Sequence, residues 1–96
     1  MDRIIIHELE ANDQISDLGI GFERYDDLML SLEFALVNYA EMFPTIPGTS
    51  LSICKTNEFV GGEFSEIPSL ALFFHYDEWA VRIVAVEKNE DVSYGL

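Results

Sequence analysis

An α+β fold, with helices packed on one face of a single sheet, is what this sequence predicts, and three observations predict it. A short β-branched segment opens the chain, an apolar stripe with helical spacing fills its middle, and apolar strand-like runs separated by turn signals fill the second half. The 96 residues suit one domain spanning positions 1–96, and 49% of them are apolar, enough to build a core.

Residues 3–9 (Arg-Ile-Ile-Ile-His-Glu-Leu) read as a first strand, because they are short and β-branched. Residues 10–18 read as a short helix with Ile15 and Leu18 as its apolar pair, closed by the break Gly19-Ile20-Gly21. The clearest helix spans 22–43, where Tyr25, Leu28, Leu32, Ala35, Leu36, Tyr39 and Phe43 recur three and four residues apart. Glu23, Asp26 and Asp27 lie in its first turns, where the helix dipole favours negative charge. Pro44 stops it, and Thr45-Ile-Pro-Gly-Thr49 follows as a turn.

Residues 50–56 alternate as a strand with Leu51, Ile53 and Lys55 on one face. Residues 57–69, with Gly61-Gly62 and Pro68, read as a loop. Residues 70–76 and 79–87 read as two strands joined through Asp77-Glu78 in a hairpin. Residues 88–96 form a polar tail. The expected product is one antiparallel sheet, its last three strands a meander.

Charge narrows the function. Asp and Glu outnumber Lys and Arg 18 to 5, for a formal charge of −13. The excess is spread along the chain: residues 1–48 hold ten acids and two bases, residues 49–96 eight and three. Free nucleic acid and anionic membranes are therefore unfavourable partners, since both need clustered cations, whereas a basic protein is a favourable one; the same charge could equally serve only to keep a small protein soluble. Cys54 is the single cysteine, so no internal disulfide forms, and no segment is long enough for a membrane span. A cytoplasmic protein without cofactor or metal is expected. Two His, one Cys and dispersed carboxylates match no standard metal spacing, and Gly61-Gly62 followed by Glu63 is no phosphate loop.

Several stretches then invite a comparison. They are Ser31–Leu36 through Phe43-Pro-Thr-Ile-Pro-Gly-Thr49, Leu51-Ser-Ile-Cys-Lys-Thr56, Ile67-Pro-Ser-Leu-Ala-Leu-Phe-Phe74 and Val81-Arg-Ile-Val-Ala-Val-Glu87. Together they resemble the RelE/ParE superfamily of bacterial toxins, over about two-thirds of the chain. The distinctive parts are the Phe-Pro-x-x-Pro-Gly-Thr turn and the Lys-Thr step. The resemblance implies an α+β toxin neutralised by a cognate antitoxin, acting either on mRNA at the ribosome or on DNA gyrase. Members of the family are normally basic, and the −13 charge departs from that character.

RNA cleavage of the RelE kind needs an acid/base group and cations around the charged transition state. The residues that could supply these are Lys55 at the Lys-Thr step, Arg82, His75, and Tyr94 near the C-terminus. Each also has a structural reading. Lys55 could blunt a sheet edge, Arg82 could pair with a carboxylate, His75 could be an ordinary strand residue, and Tyr94 could belong to a frayed tail. His7 carries the same ambiguity, and Cys54 reads as a buried structural cysteine. The alternative to a toxin is a non-catalytic module on the same fold whose acidic surface binds a basic partner protein.

Overall fold

The computed structural model describes residues 3–56 and 69–89. In chain order the elements are β1 (Ile4–His7), α1 (Leu9–Leu18), α2 (Phe22–Asn38), a 3-10 turn (Ala40–Met42), β2 (Ser52–Lys55), β3 (Leu70–Tyr76) and β4 (Ala80–Lys88). The strands form one sheet in the order β1-β4-β3-β2. The fold is α+β, as the residue pattern predicts.

The sheet is mixed, which corrects the antiparallel expectation. β2, β3 and β4 form the expected antiparallel meander, but β1 lies parallel to β4, with Ile4 opposite Ala80 and His7 opposite Ile83. Alternation of apolar residues is the same in either orientation, so pattern alone could not give the direction of an edge strand.

Both helices pack on one side of the sheet. Ala11 and Ile15 of α1, and Tyr25, Leu28, Met29, Leu32 and Leu36 of α2, join Cys54, Leu70, Leu72, Phe74, Val81, Ile83 and Val86 in one buried cluster. A bulge lets β4 supply that last set. Phe73 faces Ala85 while Phe74 faces Ile83, so Val84 is the extra residue. The inward positions therefore shift from 81 and 83 to 86. Beyond the end of β1, the exposed flank of β4 is closed by α1: the Val86 N–H donates to Gln14 Oε1 at 2.8 Å.

Helix α1 ends at Gly19, whose φ of 76° is left-handed and whose N–H donates to the Ser16 carbonyl. Helix α2 ends at Asn38, five residues before the expected stop at Phe43. Tyr39 leaves helical geometry, one 3-10 turn follows, and Phe43 is extended before Pro44. The end carbonyls of α2 find partners from outside the helical ladder. Asn38 Nδ2 donates to the Phe34 carbonyl and Arg3 Nη1 to the Val37 carbonyl, each at 3.0 Å. Proline disfavours helix at residue 43, but the helix already ends where Tyr39 leaves helical geometry, and Arg3 serves the Val37 carbonyl there.

The turn after Pro44 is built as its composition suggests. Gly48 has a φ of 79°, Thr49 Oγ1 donates to the Ile46 carbonyl, and the Leu51 N–H donates to Thr49 Oγ1. The β3–β4 connection runs through Asp77, Glu78 and Trp79, one residue longer than the Asp77-Glu78 pair. Asp77 Oδ1 accepts the N–H groups of Trp79 and Ala80, at 2.7 and 2.9 Å, in place of the glycine a tighter turn would need. The expected tail at 88–96 begins too early, since Lys88 is the last residue of β4; apart from Ser69, Lys88 and Asn89, the expected loop at 57–69 and that tail lie outside the described residues.

Candidate functional site

Three of the four sequence-nominated site residues, Lys55, His75 and Arg82, fall on the side of the sheet away from the helices. The register sets them in rows. Lys55, Ala71 and Glu87 form one row, Ile53, Phe73 and Ala85 the next, and His75, Arg82 and Ile6 another. Ile53, Ala71 and Phe73 are buried, with Ile46, Val84 and Ala85 packed against them. An apolar centre therefore separates Lys55 from the other two.

His75 and Arg82 sit directly opposite each other on neighbouring strands. Lys55 faces Ala71, four residues along β3 from His75, a separation of about 13 Å. The structure thus brings the His/Arg pair together and leaves Lys55 at the other end of the face. Tyr94 lies outside the described residues. The positive charge of Arg82 is felt at Asp77. The Asp77 carboxyl is held below its usual range first by the Trp79 and Ala80 N–H groups, and then by Arg82 and Arg3.

Two functional-looking groups turn out to hold the fold together. His7 Nε2 and the Tyr25 hydroxyl share a hydrogen bond of 2.9 Å, their rings meeting edge to face at 5.5 Å. Burial lowers the His7 pKa against a smaller opposing effect of Asp26, so its neutral form is favoured. Burial, then Asp26 and Cys54, push the Tyr25 hydroxyl up, so it keeps its proton. Cys54 is fully buried.

Arg3, which sequence reasoning missed, is the other group. Its Nε donates to the Asp77 carbonyl at 2.7 Å and its Nη1 to the Val37 carbonyl. It also pairs with Glu41 at 3.4 Å and lies 5.2 Å from the Tyr76 ring centre. No sequence signal joins Arg3 to residues 34 and 74 positions away.

The helical layer is densely acidic. Glu10, Asp13 and Asp17 of α1 and Glu23, Asp26, Asp27 and Glu33 of α2 are all exposed, and Arg24 is the single base of the two helices. Near the end of α2 this surface also carries exposed Leu30, Phe34, Tyr39 and Met42. Among the described residues, no group of three or more His, Cys, Asp or Glu could hold a metal ion, and no helix is long and apolar enough to cross a membrane.

Comparison with family models, with curated proteins and with solved structures gives no match to this chain. Function must therefore be argued from the arrangement of charge and apolar surface described above.

Proposed function

We propose that this chain is a protein-binding module that engages a basic partner through its helical layer. The observation that carries the reading is the density of acid on the helical layer: exposed carboxylates run along both helices with one arginine among them. A field of one sign attracts a basic partner and raises its rate of encounter. Fully solvated carboxylates are individually cheap to leave unpaired, so the surface costs little stability until a partner arrives.

Immobilised protein should retain basic proteins from a cell extract and release them as salt rises. A variant with Glu23→Gln, Asp26→Asn and Asp27→Asn should retain fewer. Recovery of no basic protein, or retention that ignores salt, would refute the reading.

A second reading is a divergent RelE/ParE-like toxin, acting on translation or gyrase and held by a cognate antitoxin. The juxtaposition of His75 and Arg82 on one face favours it, since an acid/base group beside a cation suits RNA cleavage. Inducing the protein alone in bacteria should then arrest growth, and His75→Ala with Arg82→Ala should relieve the arrest. Unaffected growth, translation and supercoiling would remove the toxin reading. A cytoplasmic location accompanies either reading.

A further inference from the structure

Helix α2 carries two apolar stripes on opposite sides. The inner one, Tyr25, Leu28, Leu32 and Leu36, is buried against the sheet. The outer one places Leu30, Phe34 and Val37 at the same three- and four-residue spacing, and Leu30 and Phe34 are 70% and 68% exposed. Tyr39 and Met42, 51% and 76% exposed, extend this apolar surface past the helix end, and the Phe34 and Tyr39 rings stand 5.8 Å apart. Apolar surface gathered this way on an otherwise charged layer calls for a partner.

The surface is shaped as well as apolar. A depression of about 490 Å³ opens beside Leu30, Phe34 and Val37, with Glu33 and Arg3 in its wall. A second, of about 270 Å³, is lined by Ala35, Tyr39, Met42 and Phe43. The aromatic pair of Phe34 and Tyr39 thus borders both hollows.

We infer that this surface docks an amphipathic helix of a partner protein whose apolar face is flanked by Lys or Arg; the inference rests on the protein-binding reading and names its site. A helix suits the surface because the α2 backbone is already hydrogen-bonded and offers no free edge to a strand. Side-chain ridges at three- and four-residue spacing accept ridges of the same kind. Basic flanks suit it because Glu33 lies in the wall of one hollow and the exposed Asp26 and Asp27 stand one turn before Leu30 on the same helix, whereas Glu41 is already paired with Arg3. A second copy of this chain is disfavoured, since two surfaces from a domain of charge −13 repel.

The test uses the full chain and a peptide of about 18 residues, long enough to hold a helix, with Leu on one face and Lys on the other. Binding is followed by calorimetry at low and high salt. The wild type should bind this peptide and not its Leu/Glu counterpart. Leu30→Ser with Phe34→Ser should weaken binding at least about tenfold. Glu33→Gln should weaken it less and reduce the salt dependence, while Leu9→Ser, an exposed leucine on α1, should leave it unchanged.

Equal losses at Leu9 and at the Leu30/Phe34 pair, or no loss at the pair, would overturn this docking site while leaving the acidic-module reading standing. Failure of the wild type to bind either peptide, together with failure to retain basic proteins, would overturn both. A wild-type dimer in sedimentation that Leu30→Ser with Phe34→Ser dissociates would assign the surface to a second copy and overturn the heterologous partner.

Discussion

Strand β1 is tied to α2 at both ends, by opposite means. At its start, Arg3 reaches the C-terminal carbonyl of Val37 with a charged group that stays partly in contact with water. At its end, half-buried His7 meets the buried Tyr25 in the first half of the helix as a neutral pair. Each choice fits its place. The C-terminal end of a helix is electrically negative and has unpaired carbonyls, so a cation there gains on both counts. Partial burial of the imidazole and full burial of the phenol oppose an uncompensated charge, so the two meet there uncharged. One strand is thus tied to one helix by a cation where carbonyls are unpaired and by a neutral pair where burial opposes charge.

The comparison can be tested from its strongest effect downward. Leu32 lies on the inner face of α2 between the two ties and is fully buried. Leu32→Ala should cost about 3 kcal/mol in denaturant unfolding, whereas Phe34→Ala, on the outer face, should change stability by no more than about 0.5 kcal/mol. A large loss at Phe34 would mean that the outer stripe serves the fold and not a partner.

Removing the charged tie comes next. Arg3→Ala leaves the Val37 and Asp77 carbonyls without their donor and should cost about 2 kcal/mol. Arg3→Lys should recover only part of this, because an ammonium cannot reproduce the planar fork that serves two carbonyls. Complete rescue by Lys in thermal melts would reduce the tie to simple charge.

Breaking the neutral tie should cost less. Tyr25→Phe keeps the ring packing and removes the hydroxyl, for about 1 kcal/mol. The pair also predicts a pH response. The folded pKa of His7 lies below its ordinary 6.5, so the unfolded chain binds the proton more readily. The stability from this site is therefore present above about pH 6.5 and is lost as pH falls toward the lower folded value. His7→Gln should flatten that part of the stability profile. A profile unchanged by the substitution would show that His7 is not held neutral.

The smallest effect is expected at Asp77, whose carboxyl is exposed and held low by two turn N–H groups. Its contribution is present above its ordinary 3.8 and disappears as pH falls through the lower folded value. Asp77→Asn should thus lower the melting temperature slightly at neutral pH and make no difference in strong acid. An undiminished difference in strong acid would show that the turn does not depend on the carboxylate.

Much of the fold was legible because its rules are local. The break at Gly19-Ile20-Gly21, the inner stripe of α2, the turn around Gly48 and the β3–β4 pairing each follow from residues within one element or its immediate flanks. The helix ends five residues before the expected stop, because Pro44 constrains only Phe43 and Tyr39 has already left helical geometry. Lys55, His75 and Arg82 stand out in the sequence as candidate catalytic residues, and all three fall on the face of the sheet away from the helices. Spacing along the chain could not show that His75 faces Arg82 while Lys55 stands about 13 Å away, because that depends on cross-strand register.

By itself the sequence determined the fold class, the acidic character and the position of the main helix, since composition and periodicity act residue by residue. Only the tertiary structure decided that β1 runs parallel to β4, that a bulge at Val84 shifts the inward face of β4, and that His75 and Arg82 meet across the sheet. It also separated the two apolar stripes of α2 into one that is buried and one that is exposed. The reason is common to all of these: they depend on which distant segments come into contact, and a periodic pattern is the same whichever neighbour completes it.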